Sequence, residues 1–487
     1  MGYIRENEDK FRMTETEIRN RLTGAFPFEP TSGQHELISR LSGFLFRGDE
    51  KQLFVLRGYA GTGKTSMVSA LVNVLPSLNF KSVLLAPTGR AAKVMAGYSG
   101  KPAQTIHRRI YFQKFTPDGR MVLTMQKNLF RRAVFIVDEA SMIPGESMGQ
   151  EQLVSAHNLL DDLMDYVFSG KDCRVIFIGD TAQLPPVGTE LSPALDTRYL
   201  KSRYSVDIVE YELEQVMRQS LESGVLSNAT RIRNMIGEED HSVQVFDLND
   251  QEDVLEVESD YLEDLLVGSY SDDKVEGSII VTRSNKRANL YNREIRNRIL
   301  YREYEIEAGD LMMIVKNNYF WLPENSEAGF LANGDIIEIM GVRNFEEVHG
   351  FRFADVTIRL LDYPDQQPLD VKIILDTIMA ESPSLGREDG RKLYLNVLQD
   401  YEDIPEKSKR ADKVRVDPFY NSLQVKFAYA MTCHKTQGGQ WERVFIDYFR
   451  ITPETVDTSA LRWLYTAVTR STDKVYLLGY PDHCFVR

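Results

Sequence analysis

The 487-residue chain has only three cysteines, Cys173, Cys433 and Cys484, far apart and odd in number. A disulfide framework needs paired cysteines, so the usage fits a reducing, cytoplasmic setting. Long apolar runs are also missing: none approaches the roughly 18 residues a membrane span requires. The first residues, MGYIRENEDKFRMTETEIRNR, are charged throughout, so neither a signal peptide nor an anchor is expected there. A basic balance is absent too, the formal net charge being −14. Any role on nucleic acid would then rest on a local groove and not on the global field. Much of the acidity lies between Glu238 and Glu276, which reads as the solvated face of a connecting segment, away from any such groove. There is no fixed-period repeat and no low-complexity tract. What remains, 43% apolar and 27% charged residues, is a soluble globular composition long enough for two or more domains.

Through the first 220 or so residues, short β-rich runs (LFVL, SVLLAP, AVFIVDE, RVIFIGD) alternate with helical patterns. Parallel strands buried on both faces read this way. A second set, GSIIVT, VKFAYAMT, RVFIDYF and KVYLLG, predicts a second α/β core. Between them, LMMIVKNNYF, GDIIEIMGV, FADVTIRLLD and LDVKIILDTI resemble the strands of a small β-barrel, followed by a charged, helix-compatible stretch.

GYAGTGKT, Gly58 to Thr65, follows LFVLR and precedes SMVSALVNVL. Strand, glycine loop, Lys-Thr and helix form the context of a phosphate-binding loop. Gly58, Gly61, Thr62 and Gly63 would bring backbone N–H groups around phosphate oxygens at a helix N-terminus. Lys64 would reach the β- and γ-phosphates, and Thr65 would hold Mg²⁺. AVFIVDEASM delivers two acids to a strand end, Asp138 for the Mg²⁺ of ATP and Glu139 as the base that orients water. RVIFIGDTAQLPPVG repeats the device at Gly179 and Asp180, with Gln183 placed to sense the γ-phosphate. A polar turn before a Pro-Pro stop is the other reading of that segment. TCHKTQGGQWERVF, from Thr432 to Phe445, suggests a metal through Cys433 and His434 or a phosphate through its glycines. Zinc needs three or four ligands, and no further Cys or His lies near in sequence.

Taken in order, the phosphate loop, DEAS, GDTAQLPPVG, TCHKTQGGQ and LYTAVTRS resemble superfamily 1 DNA helicases of the 5′-to-3′ branch, the RecD-like and phage Dda-like group. The motifs run from Gln34 to Arg470. The resemblance implies two RecA-like cores, an inserted SH3-like barrel and a strand-separating pin. It makes Gln34, in FEPTSGQHELI, the reader of adenine, Arg218, in LEQVMRQ, a γ-phosphate contact, and Arg470 an arginine finger. TCHKTQGG becomes the coupling segment: Thr432 and His434 face DNA backbone, while Gln437 and Gly438 approach the nucleotide.

On the DNA side the resemblance adds Pro87 and Thr88 in APTGRAAKVM, Thr105 and His107 in QTIHRRI, and Asn285 in SNKRANLYNREIRNR. All but the last are ordinary surface turns without it. Arg283, Lys286, Arg287, Arg293 and Arg296 form a local basic cluster, expected to make DNA affinity salt-dependent. IYFQKF–TPDG–RMVLTM reads as a hairpin. Phe112 or Phe115 would be its wedge against the last base pair, unless these aromatics only cover the hairpin's own small core. The expected domains are a 1–24 N-terminal segment, a first core over 25–220 with the hairpin at about 108–127, a second core over 221–300 plus 421–487, and the barrel over 301–420. The expected activity is an ATP- and Mg²⁺-dependent DNA helicase, a monomer on single-stranded DNA and forks, without a membrane. The alternatives are the motor subunit of a larger repair complex and a DNA-dependent switch ATPase that unwinds nothing.

Overall fold

The computed structural model describes residues 13–47, 51–115, 121–145, 158–215, 223–249, 251–270, 275–323, 326 and 330–486, with the side chains at 113–115, 121–122 and 259 left aside. Two compact units result: 1–87 with 91–111 and 125–222, and 223–487 with 88–90 and 112–124.

Up to residue 222 the strands are β1 (Gln52–Gly58), β2 (Lys81–Ala86), β3 (Ala103–Thr105), the hairpin pair β4 (Tyr111–Phe115) and β5 (Met121–Met125), β6 (Arg131–Val137), β7 (Lys171–Gly179) and β8 (Asp207–Leu213). Six of them form a parallel sheet in the order β3-β2-β6-β7-β1-β8. The runs that build it are apolar at successive positions because both faces are covered. On one face Phe54, Leu56, Ile136, Ile176 and Ile178 pack with Leu37, Leu41 and Phe44 of the Ser32–Phe46 helix. The crossovers put the chemistry-bearing turns at one end. Gly58, Asp138 and Asp180 close β1, β6 and β7, which are neighbours in the sheet.

In the rest of the chain the strands are β9 (Phe246–Asp247), β10 (Val254–Val257), β11 (Ser278–Thr282), β12 (Leu311–Ile314), β13 (Ile336–Val348), β14 (Phe351–Leu360), β15 (Leu369–Ile374), β16 (Leu423–Phe427), β17 (Ala430–Thr432), β18 (Trp441–Asp447), β19 (Ser471–Leu478) and β20 (Phe485–Val486). A second parallel sheet has the order β10-β19-β18-β11-β17, and β12 to β16 close into a barrel. Two RecA-like cores and an inserted barrel are therefore the architecture. The long β13 carries register shifts at Ile339/Gly341 and Val342/Asn344. Bulges of this kind bend a strand, which lets it pair with β12 at one end and β14 along its length.

Two expectations change. VKFAYAMT is not one strand of the second core: β16 closes the barrel, and only β17 joins the core sheet. No glycine or proline marks the break, because a buried tyrosine makes it. The acidic 238–276 stretch is more than a connection, since it contributes β10 to the edge of the second sheet.

The break belongs to a polar knot at the barrel's root. The helix Asn285–Glu294 runs into a π-helical turn, Ile295–Ile299, that turns Arg296 inward. Arg296 Nε and Nη2 each donate to Asp310 at 2.9 Å, with the two side chains 7% and 0% exposed. Tyr429, between β16 and β17, donates its hydroxyl to Asp310 at 3.1 Å and accepts from Leu311 N–H at 3.0 Å. The guanidinium also lies 4.4 Å from the Phe427 ring centre. The chain's entry to the barrel and its exit are thus tied to one carboxylate. Removing one partner of a buried pair strands the other charge. Asp310→Ala is expected to lower unfolding free energy by about 3–5 kcal/mol, read by urea denaturation; an unchanged midpoint would show that the pair is dispensable.

Candidate nucleotide and nucleic-acid sites

In the first unit β1 ends at Gly58 and the Lys64–Val74 helix starts six residues later. Gly61 and Gly63 stand at φ 74° and 90°, where a side chain would strain the backbone. A Cβ on Gly58 would come within 3.0 Å of Thr62 Oγ1 and 3.1 Å of Leu213 Cβ. A side chain at Gly58 would have to push these neighbours aside. No side chain caps the helix start, so its first N–H groups face the loop, the arrangement that receives anions. Lys64 Nζ donates to the carbonyls of Gly58 at 2.6 Å and Tyr59 at 2.8 Å, folding the ammonium over the loop. Thr62 is buried, with its hydroxyl on Tyr59 O, and Thr65 is exposed on the first turn.

Gln34 reaches the same loop, though not as a free reader of a base. It is fully buried, its Oε1 accepts from Thr31 N–H at 2.9 Å, and its Nε2 donates to Thr62 O at 3.1 Å. The first bond is half of a capping box with Thr31; the second staples the helix to the phosphate loop.

Asp138 and Glu139 follow β6, both half-buried. Asp138 Oδ1 accepts from Glu139 N–H at 2.8 Å, and Oδ2 accepts from the Tyr98 phenol at 2.6 Å. Glu139 stands at φ 52°, a conformation that non-glycine residues hold mainly where the surroundings over-determine them. Asp180 is buried and accepts from Ala182 N–H at 2.9 Å. Gln183 is 8% exposed, and its buried Oε1 has no hydrogen-bond partner among the described residues. A buried amide oxygen left in that state is costly, and it lies just past the end of β7. Gln34, Gly58, Lys64, Thr65, Asp138, Glu139 and Gln183 thus belong to one end of one sheet. Arg218 lies outside the described residues. Tyr98 was not expected: a tyrosine in a helix gives no sequence signal, and only folding brings it to Asp138.

In the same unit Thr105 is buried and caps the short Ile106–Ile110 helix through Arg108 N–H at 3.2 Å, and His107 stacks obliquely 5.8 Å from Tyr111. Pro87 and Thr88, after β2, are half-buried. Phe112 on β4 is 46% exposed; the Phe115 side chain lies outside what is described.

In the second unit Thr432 ends β17 in register with Thr282 of β11. His434 is exposed, whereas Cys433 is buried, with its Sγ donating to Trp463 O at 3.5 Å. Burial pushes that thiol up to about 12, so it is a packing group. Gln437 and Gly438 are buried, the glycine at φ 74°. Arg470 is 4% exposed; Nε donates to Thr466 O, Nη1 to Gly439 O at 3.2 Å and Nη2 to Thr469 Oγ1. Coupling segment and arginine meet at the amino ends of β18 and β19.

The expected basic cluster is largely spent on structure. Arg296 belongs to the buried knot, and Arg287 is held bidentately by Asp447, with Nε at 2.9 Å. Arg293 leans on Glu294 at 3.6 Å. Arg283, exposed and 4.4 Å over the Phe449 ring, and Lys286, also exposed, keep outward charge. Asn285 Nδ2 donates to Glu381 O at 2.9 Å, which ties it to the segment after the barrel.

A phosphate cradle at the carboxyl edge of a RecA-like sheet, with an acid pair and a buried amide beside it, defines a P-loop nucleotide site. Comparison with known families agrees. A model of an AAA domain matches residues 31–258, and one of a UvrD-like helicase C-terminal domain matches residues 427–478. An uncharacterized protein of Acanthamoeba polyphaga mimivirus is 23% identical over 87% of this chain and 94% of its own length. The ATP-dependent RecD2 DNA helicase of Deinococcus radiodurans is 35% identical over 29% of this chain and 17% of its own length. The ATP-dependent DNA helicase Dda of Enterobacteria phage T4 is 28% identical over 38% of this chain and 39% of its own. The chain thus matches well under half of either named helicase. In its ordered motifs and over these matched stretches the chain is similar to RecD-like and Dda-like helicases. Among the described residues no helix is long and apolar enough to cross a membrane.

Beside the coupling segment, Lys426 is 4% exposed and donates to Thr377 O at 3.0 Å and Ala380 O at 2.5 Å, with no acid paired to it among the described residues. Burial lowers it from 10.5 to about 8; Lys435 is likewise held at about 8 by burial and by Lys426. Between pH 8 and 10.5 the unfolded chain binds the proton that folded Lys426 has shed, so stability rises with pH across that window. Below pH 8 the cost of burying the charge is fully present. From pH 7.5 to 9.5 the wild type is expected to gain about 2 kcal/mol over Lys426→Met in urea denaturation. A parallel pH profile for the two chains would refute the buried ammonium.

Proposed function

We propose that the chain is an ATP-dependent DNA helicase that moves 5′ to 3′ along single-stranded DNA and opens duplex at forks. The observation that carries this is the convergence of the glycine cradle, Lys64, Asp138, Glu139 and the orphaned Gln183 amide at one sheet edge, in a chain whose second core bears Arg470 and the coupling segment. The named helicases to which it is similar support the substrate, and the polarity rests on resemblance. The three free, buried cysteines suit a reducing cytoplasm.

In this mechanism backbone N–H groups of Gly61 to Lys64 hold phosphate oxygens. The Lys64 ammonium exchanges its two loop carbonyls for the β- and γ-phosphates. The residues fit a divalent cation as well: Thr65 offers an exposed hydroxyl at the helix start and Asp138 an oriented carboxylate. Mg²⁺, when bound with ATP, would neutralise phosphate charge there. Glu139 takes the proton of the attacking water, and the Gln183 amide gains a partner at the γ-phosphate. Arg470, the arginine finger that the resemblance implies, is held by Thr466, Thr469 and Gly439. Thr432, His434, Pro87, Thr88, Thr105, His107 and Asn285 serve the DNA strand.

Lys64→Ala is expected to stay folded by circular dichroism and lose ATP hydrolysis, because it removes a phosphate contact and no core packing. Glu139→Gln should keep nucleotide affinity and lose about 10²-fold or more in single-turnover hydrolysis. Equal loss of affinity would make Glu139 a structural residue.

Forked duplexes with only a 5′ or only a 3′ single-stranded tail test direction, and only the 5′ tail should support unwinding. On that substrate Phe112→Ala should slow strand separation about tenfold, as one lost base–aromatic stack is worth roughly 1–3 kcal/mol. ATPase activity stimulated by single-stranded DNA should persist in the same variant. Unwinding at the wild-type rate would reduce the hairpin to a surface feature.

A further inference from the structure

Asp138 is reached by a group outside every motif. Tyr98 lies in the last turn of the Gly89–Ser99 helix, and its phenol donates to Asp138 Oδ2 at 2.6 Å. The ring is half-buried and packs against the core of the first unit, so the hydroxyl is delivered from a fixed base. The other oxygen, Oδ1, accepts from Glu139 N–H at 2.8 Å. These two bonds pin the carboxylate about its terminal torsion, which is otherwise broad. They also hold the backbone of Glu139, which stands at φ 52° and needs such support. An ionised carboxylate offers about four lone-pair sites, and two are taken here. The remainder are held in a set direction.

We propose that Tyr98 is a positioning residue of the nucleotide site, whose hydroxyl orients Asp138 to receive the divalent cation that accompanies ATP. This rests on the nucleotide reading above. The role is that of an outer-shell hydrogen bond to a metal-ligating carboxylate, whose loss typically weakens metal affinity about 10–100-fold. If the bond only tied a helix to a strand, its loss would cost stability and leave the cation untouched.

Tyr98→Phe removes one oxygen and keeps the ring. Binding of a fluorescent ADP is followed while Mg²⁺ is titrated, and again in EDTA. In the variant, the Mg²⁺ concentration for half-maximal binding should rise about tenfold, with affinity in EDTA unchanged. In an Asp138→Asn background the same change should produce no further shift, because the acceptor is already altered. A lowered melting temperature with a Mg²⁺ midpoint within about twofold of wild type would overturn the proposal. So would a full additional shift in the Asp138→Asn background. Wild-type protein that binds no nucleotide under either condition would instead fail the underlying nucleotide reading, which keeps the two failures apart.

Discussion

The first core depends on one constraint: a parallel sheet must be covered on both faces. Its strands are therefore continuous apolar runs, and polar residues are displaced to their ends. At the carboxyl ends of β1, β6 and β7 these displaced groups are the phosphate loop, the Asp138–Glu139 pair and Asp180. Packing thus gathers the chemistry without any of these side chains having to attract another.

Within that edge, Asp138 is a junction. Its two oxygens accept from a neighbouring helix and from the next residue's own backbone, so the acid is held by elements that meet only in the folded core. Gln34 shows the same economy in reverse: one amide caps its helix and clips the phosphate loop. Lys64 and Arg470 are alike in another respect. Each satisfies its charge on carbonyls of its own unit, bonds that a phosphate can replace because it offers stronger, charged acceptors.

In the second core, charge is spent differently. A basic stretch in a helix reads as a surface for nucleic acid, yet Arg296 and Arg287 are bound to Asp310 and Asp447. Asp310 lies 14 residues on and Asp447 160 residues on, and both acids are nearly or fully buried. The barrel needs this. Its two chain connections leave the core side by side, joined by backbone bonds and by the Arg296–Asp310–Tyr429 knot. The outward charge that remains, at Arg283 and Lys286, is smaller than the sequence suggests.

The sequence by itself determined whatever depends on local pattern. Apolar run length and the spacing of glycines specify two α/β cores, a phosphate loop at Gly58 to Thr65, an acid pair at a strand end and a barrel-like insertion, because each is written in consecutive residues. Tertiary structure alone decided what depends on partners distant in the chain. It split the apolar run at Tyr429 between two sheets, since that buried tyrosine is held by Asp310 and no turn residue marks the break. It turned Arg296 into the interior, bound Arg287 to Asp447, clipped Gln34 to the phosphate loop at Thr62, buried Cys433 and brought Tyr98 to Asp138. The physical reason is common to all of these. Hydrogen bonds and ion pairs between remote side chains have no period, so they exist only once the core has placed their backbones.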